Sequence, residues 1–314
     1  MDRINEAPVV GASVSKGAIM TTLRKKLTCA RAAWAAGGAM LCSAGAMAQE
    51  VIPVELPDER NMIGGGAFAV PDFYGAEDYH AEGAGFMHVN LGNGLWLQVL
   101  GQELRLNVVP GYVGQNYQAL NTVRAGFIYR GRPSRDTDVD DEVVRRMQRI
   151  PVASEFGVFA SYSLPMPGDN PMHKIVFSGD AAWATNTLYT GAAGNIRATY
   201  FYPFPQGLGG KPLLGSAGFG LFFTSDHFTE RYFGIQGGDL ALYPELGGVP
   251  FRPEGGLTSI RIPVSLTSQF NQHWSLTVAG RYERLLNDAA DSPIVRTRGN
   301  ENQWTVGAAI NYYF

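Results

Sequence analysis

Residues 303–314 read Gln-Trp-Thr-Val-Gly-Ala-Ala-Ile-Asn-Tyr-Tyr-Phe, so that apolar side chains occupy every second position. Successive side chains of a β-strand point to opposite faces, which gives this segment one apolar face and one small or polar face. The apolar row consists of Trp304, Val306, Ala308, Ile310, Tyr312 and Phe314. The segment therefore predicts a strand that separates an apolar environment from a polar one.

The same alternation recurs along the chain, with almost no helical periodicity. In the preceding segment, Trp274, Val278 and Tyr282 alternate with small, polar and charged residues. Further alternating segments occupy residues 62–70, 83–91, 95–101, 104–109, 122–131, 152–164, 174–183, 195–202, 213–224 and 260–267. The count predicts about 12 strands, or 10 if two of the short early segments do not cross.

Alternation fits two architectures, a soluble sandwich and a membrane barrel, which differ in the face that points inward. The apolar rows end in aromatic residues, as do the girdles of membrane barrels at the bilayer interface. The opposite rows carry charges that line the lumen in a barrel and face solvent in a sandwich. We predict an all-β fold, a closed antiparallel transmembrane β-barrel, with these candidate lumen charges: Arg124, Arg130, Glu155, Arg197, Arg261, Arg281 and Glu283.

Closure follows from energetics, because an unpaired backbone amide or carbonyl in hydrocarbon costs several kcal/mol. The terminal row of Val306, Ala308, Ile310, Tyr312 and Phe314 resembles the recognition signal of outer-membrane assembly substrates. The other interpretation of this row is an edge strand that happens to end in Phe. We expect membrane lipid and the assembly machinery to be partners of the chain.

Connection lengths predict the orientation of the barrel. With the C-terminus in the periplasm, the long connections 131–151, 225–256 and 287–302 all lie outside the cell, as the long loops of such barrels do. The shorter connections 165–173, 203–212 and 268–272 lie in the periplasm. The segment 91–94, Leu-Gly-Asn-Gly, predicts a tight hairpin on the same side.

The N-terminus has the design of a cleaved signal peptide. A basic cluster at 24–26 precedes an apolar stretch at 30–41, and the small residues Ala46 and Ala48 frame a cleavage site after Ala48. Residues 1–48 are thus predicted to be an N-terminal extension and export signal, with a true start possible at Met20. Residues 49–60 would form a short periplasmic segment and 61–314 the barrel, which places the protein in the outer membrane of a Gram-negative cell.

No pattern in the chain predicts catalysis, a cofactor or a metal. The five histidines are scattered without metal-ligand spacing, and the acidic segment 136–142 lacks the glycine and terminal glutamate of a calcium loop. That segment and the basic residues after it predict a short helical piece in an external loop. Both cysteines lie in the predicted signal, and the chain has no long basic run of the kind that binds nucleic acid.

The order of several segments resembles the MipA/OmpV family, the MltA-interacting outer-membrane proteins. The opening stretch 64–79, Gly-Gly-Gly-Ala-Phe-Ala-Val-Pro-Asp-Phe-Tyr-Gly-Ala-Glu-Asp-Tyr, resembles the first strand and loop of that family. The similarity continues through 129–132, 155–162, 232–235, 285–295 and the terminal Tyr-Phe, and is weakest at 165–214.

This resemblance implies an outer-membrane barrel and, for some members, a non-catalytic scaffold that holds a lytic transglycosylase and a penicillin-binding protein together. We expect such a scaffold to use the turns 165–173 and 203–213. A small porin-like channel or an osmotic or antibiotic-stress envelope protein is the alternative, and a barrel hydrolase is the less favoured one.

Overall fold

The computed structural model describes residues 60–110, 123–132, 134–135, 139–168, 170–185 and 190–314. The predicted signal peptide, its cleavage site and nearly all of the predicted periplasmic segment lie outside these residues. Within the described part of the chain, no helix is long and apolar enough to cross a bilayer.

Twelve antiparallel strands form one closed barrel, in which each strand pairs with its sequence neighbours and β1 pairs with β12. This confirms the predicted fold and the larger of the two strand counts. The strands are β1 (Met62–Pro71), β2 (Tyr79–Gly92), β3 (Leu95–Leu100), β4 (Glu103–Asn107), β5 (Val123–Arg132), β6 (Ala153–Pro165), β7 (Lys174–Ala184), β8 (Ala192–Phe204), β9 (Leu213–Thr224), β10 (Gly256–Gln269), β11 (Trp274–Leu285) and β12 (Asn302–Tyr313).

Side chains of the barrel wall point alternately outward and inward, as the sequence pattern predicts. On β12, Trp304 and Val306 face outward and are 54% and 51% exposed, whereas Gln303 and Thr305 between them face inward and are buried. β11 repeats the rule with Val278 outside and Thr277 inside. An exposed apolar wall around a polar interior suits a barrel whose outside contacts lipid.

The two ends of the barrel differ in the length of their connections. One end, the turn end, carries the connections 93–94, 108–122, 166–173, 205–212 and 270–273. The other end, the loop end, carries 72–78, 101–102, 133–152, 185–191, 225–255 and 286–301. The hairpin at Asn93 and Gly94 has positive φ at both residues, 54° and 79°, which is the backbone that an Asn-Gly turn provides.

The loop end contains all the α-helices among the described residues. These are α1 (Asp226–Phe233), α2 (Asn287–Asp291) and α3 (Pro293–Arg298). Short 3₁₀ segments lie at Val144–Arg146, Gly237–Leu242 and Pro244–Leu246 on the same end, and one at Leu208–Gly210 on the turn end. The segment Val144–Arg146 lies where the sequence predicted a short helical piece.

These loops pack into a hydrophobic cap at the loop end. Phe228 and Phe233 of α1 are fully buried against Tyr74 of the first loop and Val295 of α3. A second cluster in the cap joins Phe73, Val139, Val144, Met147, Ile235, Tyr243 and Ile294. Because segments distant in sequence share these two cores, the cap is a folded layer rather than a set of independent loops.

Candidate functional site

The candidate site starts at Arg130, which lies on the inner face of β5 and is 1% exposed. Its Nε donates to Glu103 Oε2 at 2.9 Å and its Nη2 donates to Asp180 Oδ1 at 2.7 Å. Its Nη1 lies 4.0 Å from Glu155 Oε2. One guanidinium thereby joins carboxylates from three strands, because its planar fork presents five donors in fixed directions.

Arg132 lies two residues further along the same face and extends the network towards the cap. Its Nε is 2.9 Å from Glu155 Oε2, and both side chains are completely buried. Its guanidinium also lies 5.4 Å from the ring centres of Phe222 and Phe228, within cation–π range. A long contact of 3.5 Å from Nη1 to the Tyr74 hydroxyl reaches the first loop.

A second group of charges gathers around Glu283 on β11. Arg261 Nε donates to Glu283 Oε1 at 2.9 Å, and Ser259 Oγ donates to the same oxygen at 2.6 Å. Arg281 Nη2 lies 3.4 Å from Glu283 Oε2. The guanidinium carbon of Arg261 lies 3.8 Å from the ring centre of Phe222, so an aromatic face covers its other side.

Asn195 on β8 links the two groups. Its Oδ1 accepts from Arg261 Nη1 at 2.8 Å, and its Nδ2 donates to Asp180 Oδ1 at 3.1 Å. A continuous chain of polar contacts therefore runs from β4 to β11. We call it the belt, and its members are Glu103, Arg105, Arg130, Arg132, Glu155, Asp180, Asn195, Ser259, Arg261, Arg281 and Glu283.

The belt is an internally compensated charge cluster. Five guanidiniums face four carboxylates, and the residues at its centre are almost fully buried. A charge that is removed from water is stable only when its partners stay in place, and losing one partner of a buried pair costs about 3–5 kcal/mol. The belt is therefore stable only while all of its charged partners keep their positions in the barrel.

The opposite side of the lumen is filled by apolar side chains. Met62, Phe68, Phe86 and Leu100, from β1, β2 and β3, form a buried cluster with Ala279, Ala309 and others. Phe68 and Phe86 meet edge to face with ring centres 6.0 Å apart. The apolar cluster draws on β1, β2, β3, β11 and β12, whereas the belt draws on β4 to β8, β10 and β11.

The cap has its own buried charge. Arg135 donates through Nη1 to the carbonyl of Tyr232 and through Nη2 to that of Gln148, each at 3.4 Å. Burial lowers the pKa of Arg135 to about 10, so the side chain stays protonated at neutral pH. The two backbone carbonyls and the charge of Asp239 partly compensate this burial.

An ion pair joins the 133–152 and 286–301 connections of the cap. Arg298 Nη2, at the end of α3, lies 2.6 Å from Asp141 Oδ2, and Asp141 Oδ1 accepts from the amides of Val143 and Val144. Burial acts to raise the pKa of Asp141, but the hydrogen bonds from Arg298 and the two amides outweigh it and lower that pKa. The carboxylate of Asp141 thus accepts from two amides at the beginning of the 3₁₀ segment Val144–Arg146, whose N-cap position is Val143.

The first loop carries a carboxylate–imidazole pair. Asp72 Oδ1 lies 2.8 Å from His80 Nδ1, and Asp72 Oδ2 accepts from the amide of Asp140. In the part of the chain that the structure describes, no hydroxyl contacts His80, and no cluster of three or more His, Cys, Asp or Glu could hold a metal ion. The pair ties the first loop to the 133–152 loop.

Comparison with known proteins identifies the family. Residues 63–314 match the family model described as MltA-interacting protein MipA. The chain belongs to the MipA family. Two curated relatives are outer membrane protein Omp26La of Vibrio anguillarum and outer membrane protein OmpV of Vibrio cholerae serotype O1. Each is 30% identical over 95 residues, which cover 30% of this chain and 34% of the relative. The matched part thus spans about a third of these relatives.

The solved structures that it resembles are distant. The NanC porin is 7% identical with a TM-score of 0.40, over 81% of this chain and 100% of that one. An outer membrane channel from Pseudomonas putida F1 is 10% identical with a TM-score of 0.39, over 84% of this chain and 100% of that one. Because the chain forms a closed barrel, belongs to this family and has outer membrane proteins as curated relatives, it is an outer-membrane β-barrel, and the fold expected from the resemblance in sequence is confirmed.

The structure of this MipA-family barrel divides the seven charges that we predicted to lie in the lumen. Five of them belong to the belt: Arg130, Glu155, Arg261, Arg281 and Glu283. The other two, Arg124 and Arg197, lie on inner faces nearer the turn end and are partly exposed. In register, Ser161 of β6 and Ser178 of β7 lie between them.

Sequence reasoning missed several belt members. Glu103, Arg105, Arg132, Asp180 and Asn195 were not among the predicted lumen charges. The signal for Arg132 was its spacing of two residues from Arg130, which puts both on one face of a strand. For Asp180, alternation against the outward-facing Phe177 and Trp183 would have given the same answer.

The residues of the predicted assembly signal lie on the outer wall. Val306, Ile310 and Phe314 are 51%, 52% and 60% exposed, with Ala308 and Tyr312 on the same side. β12 closes the barrel by pairing with β1, from Tyr313 opposite Met62 to Val306 opposite Ala69. Recognition of this row by the assembly machinery remains a prediction.

Proposed function

We propose that the protein is a non-catalytic scaffold of the outer membrane, which holds a lytic transglycosylase and a penicillin-binding protein near the cell wall. The buried belt supports this proposal most directly, because charges fixed in place under a folded cap leave the loop-side half of the lumen poorly suited to transport. The family description names an interaction with MltA, a lytic transglycosylase. A scaffold needs no open lumen.

The binding surface would be formed by two turns, 165–173 and 203–213. In such barrels the short turns face the periplasm, where wall enzymes work. Both turns are rich in proline, with Pro165, Pro167, Pro171, Pro203, Pro205 and Pro212. Proline reduces the conformational freedom of the unbound turn, and a turn that is already ordered loses less entropy when a partner binds.

Local contacts also stiffen these turns. His173 Nε2 lies 2.8 Å from the Tyr200 hydroxyl, and Met166 N donates to the His173 carbonyl at 2.9 Å. Lys211 lies 5.5 Å from the ring centre of Phe270, which connects the second turn to the 270–273 turn. Exposed Gln206 and Lys211 are available for contact with a partner.

The first test is co-purification of a lytic transglycosylase with the protein after mild cross-linking in cells. We expect Gln206→Arg combined with Lys211→Glu to reduce recovery of the enzyme about tenfold. The two changes alter the charge pattern of the docking surface, and a mismatch of charges across an interface weakens binding. Glu245→Lys at the loop end, equally exposed, is the matched control and should leave recovery unchanged. No transglycosylase with the unmodified protein would contradict the scaffold, and equal recovery from both variants would exclude these turns.

The second test addresses the channel alternative. We expect no steady ion conductance when the purified protein is inserted in planar bilayers, because the belt charges are paired with one another. Sustained, reproducible single-channel currents from the unmodified protein would instead favour a small porin-like channel. A stress-related role in the envelope is compatible with either result and depends on growth phenotypes.

A further inference from the structure

The outer wall of the barrel carries an open groove that crosses β5 to β9. Its volume is about 550 Å³. The large side chains along it are Val123, Tyr162, Phe177, Ile196 and Phe219, which are between 46% and 61% exposed. These side chains alternate with inward-facing ones, so they belong to the apolar face of the barrel. The groove therefore opens to the lipid around the barrel and not to the lumen.

Small side chains form the floor of the groove. Ala160 of β6 pairs in register with Gly179 of β7, and Ala198 of β8 lies diagonal to Gly179. Phe177 and Phe219 pair with Ala198 from the two neighbouring strands. Outward side chains stand roughly perpendicular to a sheet, so small residues between large ones leave a depression in the wall.

Aromatic residues place the groove at the depth of the acyl chains. Tyr200 and Tyr202 continue the outward face of β8 towards the turn end. His173 Nε2 lies 2.8 Å from the Tyr200 hydroxyl, and the His173 ring meets that of Tyr202 edge to face at 5.3 Å. Such aromatic groups lie at the level of the lipid headgroups. Since a strand rises about 3.4 Å per residue, Ala198 lies about 7 Å from Tyr200, on the hydrocarbon side.

The chemistry of the groove suits a hydrocarbon chain. The atoms that it exposes are almost all carbon, so a polar ligand finds few hydrogen-bond partners there. Lipid is as apolar as the wall itself, which means that close packing and not the hydrophobic effect decides what stays in the groove. A chain in the groove is contacted from the floor and from both sides, whereas a chain on the open wall is contacted from one side.

A second copy of the barrel is a poorer occupant. Twelve residues line the groove. A stable protein interface uses about 20–30 residues a side and is more extensive than this. The groove is thus too small to hold two barrels together, but its size suits a single flexible chain.

We propose that the groove binds one acyl chain of a phospholipid from the leaflet at the turn end of the barrel. The chain lies over Ala160, Gly179 and Ala198, and the headgroup lies at the level of Tyr200 and His173. With the turn end in the periplasm, as the connection lengths predict, this lipid belongs to the periplasmic leaflet. The site is on the outer wall, so it does not depend on the proposed scaffold function of the turns.

Filling the groove tests the proposal directly. Gly179→Leu places a branched side chain on the floor, and the nearest atom to the added Cβ is the Asn195 carbonyl oxygen, at 3.4 Å. The wall can therefore accept the new side chain. Gly280→Leu, on the outward face of β11 and outside the groove, is the matched control, because its added Cβ also meets a carbonyl oxygen, that of Thr305, at 3.4 Å.

Native mass spectrometry of the protein, purified from membranes in mild detergent, measures the lipid that each variant retains. We expect one phospholipid per barrel in the unmodified protein and in Gly280→Leu. Gly179→Leu should retain at least about fivefold less, because its side chain occupies the space in which the acyl chain packs. The mass of the retained lipid identifies its class.

A second measurement maps the chain without detergent. A phospholipid with a diazirine in one acyl chain is mixed into vesicles that contain the protein, and the cross-links are located after irradiation. We expect residues 177–179 to be labelled at least about threefold more than residues 306–310 of β12, because a chain that packs against three surfaces stays longer. The excess should disappear in Gly179→Leu.

Three results would overturn the proposal. The first is equal lipid retention in Gly179→Leu and Gly280→Leu, or no lipid on the unmodified protein. The second is labelling that is spread evenly around the wall. The third is a dimer that Gly179→Leu abolishes, which would assign the groove to a second copy of the chain. Heat-modifiable mobility on gels verifies that each variant is a folded barrel, so that loss of lipid is not mistaken for loss of the fold.

Discussion

The inward-facing arginines are buried in the loop-side half of the lumen and partly exposed in the turn-side half. In the loop-side half, Arg130 and Arg261 are buried and donate hydrogen bonds to carboxylates. In the turn-side half, Arg124 and Arg197 are partly exposed and lie in register with Ser161 and Ser178. The loop-side half removes its charges from water, whereas the turn-side half leaves its arginines partly in contact with it.

The surroundings of the inward-facing polar groups also differ between the two halves. The belt lies beneath a cap with two hydrophobic clusters, and Phe222 covers the guanidinium of Arg261. On the turn side, short hydrogen bonds between hydroxyls prevail, such as Ser216 to Ser265 at 2.7 Å and Thr267 to Thr277 at 2.9 Å. Such hydroxyls are compatible with water.

The strongest way to test this contrast is to remove Glu283. Glu283→Ala leaves Arg261 and Arg281 buried without their carboxylate, and we expect the free energy of unfolding to fall by about 3–5 kcal/mol. Urea unfolding in micelles, followed by tryptophan fluorescence, measures this change. Ser265→Ala, on the turn side, should cost only about 1 kcal/mol, the net value of a single hydrogen bond. Equal losses in the two variants would show that the halves do not differ in this respect.

The next largest expected loss of stability comes from a charge on the outer face of the barrel wall. Val306 faces outward near the middle of β12, and Val306→Arg should reduce stability by about 2–4 kcal/mol in a lipid bilayer. Val306→Leu is the control and should be nearly neutral, because it keeps an apolar side chain against lipid. Reversible unfolding from vesicles provides the comparison. A tolerated arginine would contradict the placement of this face in hydrocarbon.

The smallest expected effect is in the cap and depends on pH. The folded cap lowers the pKa of Asp141, so its stabilisation is present above the ordinary aspartate pKa of about 4 and is lost as the pH falls through the lower, folded value. We expect this partly exposed pair with Arg298 to contribute at most about 1 kcal/mol.

Protease cleavage of the loops between pH 7 and pH 3 measures this contribution. Cleavage should increase as the pH falls in the unmodified protein, and Asp141→Asn should make the loops more susceptible already at neutral pH. Asp291→Asn is the control, since Asp291 and Arg296 are both 68% exposed and 3.9 Å apart. A pH response of the same size in Asp141→Asn would assign the effect to other groups.

Local pattern was sufficient for most of the fold. The alternation of 303–314 placed Trp304 and Val306 outside, and the Asn-Gly pair at 93–94 placed a hairpin, because side-chain period and turn geometry are properties of a few adjacent residues. Where periodicity was weak, as in β7 and β8, the inward faces of Asp180 and Asn195 were missed. The histidines also gave no signal of the pair between His80 and Asp72, whose partners meet only when the first loop folds back.

The sequence by itself determined that this chain is a membrane barrel with arginines and acids on its inner rows. Only the tertiary structure decided which of those charges meet. Arg130 reaches Asp180 over an intervening strand, and Arg261 reaches Asn195 in the same way. The physical reason is strand stagger, because alternation sets the face of a residue but barrel closure sets its height.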